Sequence, residues 1–398
     1  MVAPERNRTV RIGAHGAHLT YCSNIHPGES WAEVRANLER YFPAVRERVA
    51  PGAPFGIGLR LSARAARELG AAGALAGFRE WLAREKLYVF TINGFPYGKF
   101  HGTRVKEQVY QPDWTTDERV DYTNLLFDLL VQIIPEGVEG SVSTVPGSFK
   151  EFITSSAQVQ AMRDNLWRSV EHIARLVQRT GKKLHLGLEP EPLCFLETSS
   201  ETALFFDQMR DEHPGDSRLR DHLGVNYDTC HLAVEFEEPA EVLLRFRERD
   251  IKVSKLHFSS ALQVQATAET RHALRAFEDE VYFHQVVARS GEGSITRYRD
   301  LDVALNSQLS TLNSPEEWRI HFHVPLHCAP TPLFSTTADH LLGVMDALAA
   351  DPALCSHLEM ETYTWEVMPA EMKNRSVVDQ LVAEYEWTLK ELRQRGLA

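Results

Sequence analysis

Short runs rich in β-branched residues alternate along this chain with longer runs of 3.6-residue hydrophobic period, the pattern of repeated βα units feeding a parallel sheet. Eight strands are expected, at 11–22, 54–61, 87–93, 138–144, 184–189, 223–228, 252–258 and 357–363. Eight strands in alternation with helices predict an α/β fold, a (β/α)8 TIM barrel. The helices carry their own signals. Ser30 with Glu33 is a capping box ahead of an apolar stripe at Val34, Leu38, Phe42, Val45 and Val49, and Thr115 with Glu118 repeats it before Tyr122, Leu125, Leu126 and Leu129. A helix over about 156–180 runs into Gly181, a natural C-terminal stop, and another over about 376–395 closes the chain.

Two stretches exceed a minimal barrel. Residues 94–114 form a long loop after the third strand, and about 259–350 is a long insertion before the last strand. Inside the insertion, 281–288 and 318–325 read as strands and compete with 357–363 for the eighth barrel position. With no glycine/serine linker or low-complexity segment, the expected organisation is a single elaborated domain over 1–398.

Catalytic side chains of such barrels sit at the C-terminal ends of strands. Four successive strand ends here offer Glu189, Asp228, His257 and Glu361. These oxygen and nitrogen donors suit one divalent ion, Mn, Mg, Co or Zn. Buried together without a cation they would repel and take up protons; paired singly in ion pairs or helix caps they would need none. His321 and His323 point the same way on a strand, so His323 is an alternative nitrogen ligand to His257.

Other polar residues follow strands or occupy their loops: His26, Arg60, Asn93, His101, Arg104, Lys106, Glu191, Glu197 and His231. Arg60, Asn93, His101, Arg104, Lys106, Glu191 and His231 are the candidates for substrate binding. Arg104 and Lys106 suit a phosphate or carboxylate, or else pair with Glu107 or Asp113 to stiffen the loop. His231 faces substrate or is simply buried under its loop.

Composition narrows the function classes. A net charge of −12 disfavours nucleic-acid partners, which need a concentrated basic surface. The start, MVAPERNRTV, lacks an apolar signal segment, and no run of about 18 apolar residues occurs, so a cytoplasmic protein without membrane insertion is expected. Five scattered cysteines fit reduced thiols better than a disulfide framework.

Glu189, the Asp228-Thr229-Cys230-His231 motif, His257 and Glu361 match in order and strand position the metal-binding pattern of the xylose-isomerase-like barrels. Glu189 to Asp228 is 39 residues and Asp228 to His257 is 29, each close to one βα unit, whereas the 104 residues from His257 to Glu361 depart from compact members. Across nearly the whole chain, YCSNIHPGESW, GLRLS, TINGFPYGKFHGTRVKEQVY, STVPGSFK, LGLEPEP and ETYTWEVMP resemble the EboE family of Ebo-cluster metabolite traffic proteins. The resemblance implies a metal-binding barrel working with other proteins of a secondary-metabolite gene cluster. The expected activity is isomerisation or epimerisation of a sugar, polyol or cyclitol, phosphorylated or not. Glu189 and Glu361 would exchange the proton and His231 would contact substrate. Metal-dependent hydrolysis of a small molecule, and metabolite carriage without turnover, are the competing expectations.

Overall fold

The structure is a computed structural model that describes residues 11–12, 16–71, 73–99, 106–278, 282–307, 316–364 and 375–398. Its strands, in chain order, are β1 (Arg11–Ile12), β2 (Ala17–Tyr21), β3 (Phe55–Arg60), β4 (Leu87–Asn93), β5 (Gly140–Thr144), β6 (Leu184–Leu188), β7 (Leu223–Asp228), β8 (Lys252–Phe258), β9 (Ala261–Gln265), β10 (Val286–Arg289), β11 (Ile295–Tyr298), β12 (Glu317–His323), β13 (Ser335–Thr336) and β14 (His357–Met360). Eight of them pair in parallel in the order β2-β14-β8-β7-β6-β5-β4-β3. The two ends meet through a parallel bridge between Cys22 and Gly58, and Thr20 Oγ1 accepts from Gly58 N at 3.0 Å across the seam. This is the (β/α)8 barrel the sequence predicts.

All eight expected barrel strands are present, with two changes of extent. The first does not run through 11–22. Residues 11–12 fold back antiparallel on β2, with Arg11 opposite His18, and only 17–21 enters the barrel. At the other end, β14 pairs with both β2 and β8, so 357–363 supplies the eighth strand, although regular pairing stops at Met360. The two competing runs lie elsewhere, in β10 and β12.

The helices explain themselves locally. Ser30 Oγ accepts from Glu33 N and the Glu33 carboxylate accepts from Ser30 N, the predicted capping box, and the helix Trp31–Val49 buries Val34, Leu38, Phe42 and Val45. Helix Ser156–Thr180 starts with a second box, Ser155 with Gln158, and stops at Gly181, whose φ of 71° is left-handed. The expected box at Thr115 does not form. Asp113 takes the Thr115 amide at 2.9 Å and its hydroxyl at 2.5 Å, so the helix begins at Asp117 with Thr116 as a cap whose hydroxyl donates back to the Asp113 carbonyl at 3.0 Å and caps no helix amide.

The extra chain after β8 builds a second sheet, antiparallel, in the order β11-β10-β12-β9-β13. It ends near 337, short of the expected 350. The following helix, Ala338–Ala350, packs on the helices Thr229–Val234 and Pro239–Glu248 in the outer ring of the barrel. One contiguous apolar core contains Leu186 and Leu256 of the barrel together with Trp318 and Ile320 of the added sheet. All five cysteines are free. Among the described residues no helix is long and apolar enough to cross a membrane.

Candidate metal centre

Side chains alternate along a strand, so β8 sends Lys255 and His257 to one face, and β14 with its extension sends Glu359 and Glu361. Glu189 directly follows β6 and Asp228 ends β7. The strand ends therefore bring Glu189, Asp228, His257 and Glu361 together, all buried.

His257 is the pivot. Its Nε2 lies 2.8 Å from Glu359 Oε2, and the same carboxylate receives Lys255 Nζ at 2.5 Å. A carboxylate only accepts, so Nε2 carries the hydrogen and the neutral ring presents a lone pair at Nδ1. That lone pair faces Glu189 Oε1 at 2.9 Å, Glu361 Oε2 at 3.2 Å and Asp228 Oδ2 at 3.4 Å. Such an arrangement needs positive charge among the four atoms. A proton on Nδ1 is one source: burial works against an imidazolium, yet Glu361 and Glu189 hold the His257 pKa well above its ordinary value. A divalent ion is the other, and the donors fit it. One nitrogen and three carboxylate oxygens lie within 4.8 Å of one another. Glu189 Oε2 and Asp228 Oδ2 are also buried without any hydrogen-bond partner, a costly state unless an ion uses them.

The carboxylates are held from behind. Glu361 Oε1 accepts from Asn24 Nδ2 at 2.8 Å and from Asn93 Nδ2 at 3.2 Å, leaving Oε2 toward His257. Asp228 Oδ1 accepts from Cys230 N at 2.8 Å, His231 N at 3.0 Å and Ser259 Oγ at 2.6 Å, leaving Oδ2. Burial alone would raise the Glu189 carboxyl, but His257 beside it keeps it below its usual range. Outer partners of this kind orient ligands and set their basicity.

A cavity of about 60 Å³ opens onto the centre. Glu189, Glu361, Asn93, Glu191, His231 and Lys106 line it from the barrel side, and Tyr282, Phe283, Gln285 and His321 from the added segment. Glu191 accepts from Tyr110 OH at 2.6 Å, and burial pushes its carboxyl up to about 7. Lys106 is ion-paired with Asp300 at 2.5 Å and bonds Tyr282 O at 3.0 Å, tying the long loop to the added segment. Both histidines of the HFH run are near: His323 Nδ1 lies 3.0 Å from the Glu361 carbonyl, and His321 borders the cavity. The barrel position is held by His257, with His323 adjoining it.

Other candidates stand apart. Arg60 is buried, and its guanidinium bonds the carbonyls of Gly28 at 2.9 Å and Gly98 at 2.7 Å, so it holds loops together. His26 stacks on Tyr41 and bonds Tyr21 OH at 3.1 Å. Glu197 pairs with Lys150 at 2.5 Å and Arg297 at 3.0 Å. His101 and Arg104 lie outside the described residues. Sequence reasoning missed Glu359, Lys255, Asn24 and Gln285. Glu359 had a signal, since two residues before Glu361 on one strand means the same face. Gln285 had none, because its position depends on how the added sheet docks.

The sequence matches no known family profile and no curated protein. Among solved structures, the chain is similar to a xylose-isomerase-like TIM barrel protein from Mycobacterium smegmatis in complex with magnesium, at 12% identity, covering 97% of this chain and 99% of that one, with a TM-score of 0.54. An L-ribulose 3-epimerase matches at 13% identity over 95% of each chain, TM-score 0.49. The probable 3-DHS dehydratase AsbF of Bacillus anthracis matches at 13% over 93% and 98%, TM-score 0.48. Likeness at such identities establishes architecture: the chain folds as a xylose-isomerase-like (β/α)8 barrel.

Proposed function

We propose that this chain is a divalent-metal-dependent isomerase or epimerase of a sugar, polyol or cyclitol, acting in the cytoplasm as an EboE-type component of a secondary-metabolite pathway. The observation that carries the reading is the Nδ1 lone pair of His257, fixed by Glu359 and aimed at three carboxylates. Glu189, Asp228, His257 and Glu361 would hold the ion. When bound, it supplies polarisation of a substrate carbonyl, which makes the neighbouring C–H acidic.

The rest is the work of the protein's own groups. Glu189 and Glu361 sit three strands apart around the barrel and border the cavity from two sides. One takes the proton from carbon and the other returns it to the opposite face, which inverts the centre; return by the first to the adjoining carbon moves the carbonyl instead. His231, Glu191 and Gln285 present groups that match hydroxyls. Lys106 is already neutralised by Asp300, which favours a polyhydroxyl substrate without a phosphate.

The test is deuterium uptake from solvent into ketoses and inososes by protein loaded with Mn, Mg, Co or Zn. Glu361→Gln is expected to lower exchange by about 10²–10⁴-fold, the worth of a positioned acid or base, while ligand-induced thermal stabilisation persists. Stabilisation by a sugar with no exchange in the wild type would move the chain to the carrier class.

A further inference from the structure

One wall of the cavity is assembled from three separate parts of the chain. Glu191 lies in the loop after β6, Tyr110 ends the turn Lys106–Tyr110 of the long loop after β4, and Gln285 leads into β10 of the added sheet. All three are buried. Their hydrogen bonds run in one direction. Gln285 Nε2 donates to Tyr110 OH at 3.0 Å and to the Pro192 carbonyl at 3.3 Å, and Tyr110 OH donates to Glu191 Oε1 at 2.6 Å. A phenol that accepts from an amide keeps its single hydrogen for the carboxylate. Reversing the amide would set Gln285 Oε1 against the Pro192 carbonyl, acceptor to acceptor, so its orientation is fixed.

Neither link is free to swing. The Tyr110 ring is stacked between Phe95 and Phe149, with centroids 5.7 and 5.0 Å away. Gln285 is tied to β12 twice, its carbonyl accepting from His321 N at 2.9 Å and its Oε1 facing His321 Nδ1 at 2.8 Å. Among the described residues Tyr110 is the only hydrogen-bond donor to the Glu191 side chain, and Glu191 Oε2 is buried without a partner on the cavity wall. An acceptor left in that condition is costly unless a ligand donates to it. The free oxygen of a barrel residue therefore points where the added sheet puts it.

We propose that Tyr110 and Gln285 are positioning residues through which the added sheet sets substrate selection: Glu191 Oε2 receives one hydroxyl of the substrate, and the sheet fixes which one. The kind of ligand, a polyhydroxyl compound, rests on the proposed function. Glu191 is not one of the four clustered side chains, so its contact separates epimers without taking part in proton transfer. An epimer with that hydroxyl turned away leaves the carboxylate oxygen buried and unpaired, and a site built to bond a hydroxyl rejects the ligand that does not present it.

The experiment uses the full chain loaded with Mn, Mg, Co or Zn in turn, with the four D-ketohexoses and the epimeric inososes as probes. Dissociation constants from calorimetry and deuterium-exchange kinetics are read in parallel. The wild type is expected to separate its best ligand from the epimer by about tenfold or more, the scale of one hydrogen bond in a closed site. Tyr110→Phe, which removes a single oxygen, should shrink that ratio to about threefold or less, and Gln285→Leu should do the same. The loss should fall on KM of the preferred epimer and leave kcat unchanged. Partial unfolding lowers every probe alike and does not move the ratio; should Gln285→Leu fail to fold, Tyr110→Phe decides alone. Variants that keep the wild-type ratio overturn the inference, and the proposed function stands where exchange persists. Selective binding without exchange in the wild type overturns the isomerase reading, while loss of that selection in the variants still upholds the positioning. No binding of any probe by the loaded wild type overturns both.

Discussion

The barrel interior has a histidine cluster at each end, and only one of them asks for a cation. At the end opposite the mouth, His18 Nδ1 meets Tyr88 OH at 2.9 Å, His185 Nδ1 meets Ser254 Oγ at 2.6 Å and His357 Nδ1 meets Ser141 Oγ at 2.8 Å. Hydroxyls donate or accept as required, so each of these Nδ1 atoms is served by a neutral partner, while His185 Nε2 lies 3.7 Å from Glu139 Oε2 and His357 Nε2 is buried without a partner. Burial accordingly holds His185 below its ordinary pKa and His357 well below it. At the mouth the partners of the central imidazole are carboxylates, which cannot change sides. The lesson is that a buried polar cluster marks a site when its charge is unbalanced and its donors cannot rearrange; burial and histidine content alone do not separate the two ends.

The sharpest way to test that contrast is at its hinge, Glu359, which fixes the His257 tautomer while pairing with Lys255. Glu359→Gln is expected to weaken ion binding roughly 10–100-fold, the usual worth of an outer partner. It should also cost roughly 3–5 kcal/mol of stability, because Lys255 is left charged and buried without its carboxylate. Competition with a chelating dye and urea unfolding measure the two. Adding Lys255→Met should restore stability without restoring affinity; recovery of both would mean that Glu359 acts only structurally.

Another buried carboxyl sharpens the comparison. Glu384 accepts from Thr362 Oγ1 at 2.7 Å and Leu326 N at 3.2 Å, and burial raises it from 4.5 to about 7. With no histidine or cation bonded to it among the described residues, it takes a proton. Its folded pKa lies above its unfolded one, so the contribution is fully present below about pH 4.5 and is lost as pH rises through about 7. The loss amounts to roughly 3 kcal/mol. Glu384→Gln should therefore gain on the wild type by that amount between pH 4.5 and pH 8 in unfolding experiments. An unchanged difference across that range would show that Glu384 is ionised in the fold, and that burial alone does not select the protonated form.

The smallest effect belongs to the lower cluster. His185→Gln should leave metal content unchanged and lower stability by about 1 kcal/mol, the net worth of one hydrogen bond. A fall in metal affinity comparable with that of Glu359→Gln would break the distinction between the two ends.

Much of this was legible in the chain. The leucines that alternate with polar positions in 184–189 and the run ending in Asp228 place Glu189 and Asp228 at strand ends, because a period of two fixes both the buried face and its terminus. Thr115 misled because capping preference is local, and Asp113, two residues earlier, competes for the same groups. The run 11–22 hid a reversal that hydrophobicity does not register. The added sheet was the largest gap. Two of its five strands could be seen, in the runs 281–288 and 318–325, but antiparallel pairing between Leu262 and Ile320 spans 58 residues, and no periodicity announces which face of such a sheet will cover a barrel mouth.

Gly58, at the seam between β2 and β3, gives the centre an unexpected dependence. A methyl group there would come within 1.9 Å of Glu359 Oε1 and 2.7 Å of the Tyr21 carbonyl. The vacancy of one hydrogen-sized wall is what lets the Glu359 carboxyl lie flat against β3 while its other oxygen reaches His257. The basicity of His257 on β8 is thus set by steric allowance on a strand that contributes none of the four clustered side chains.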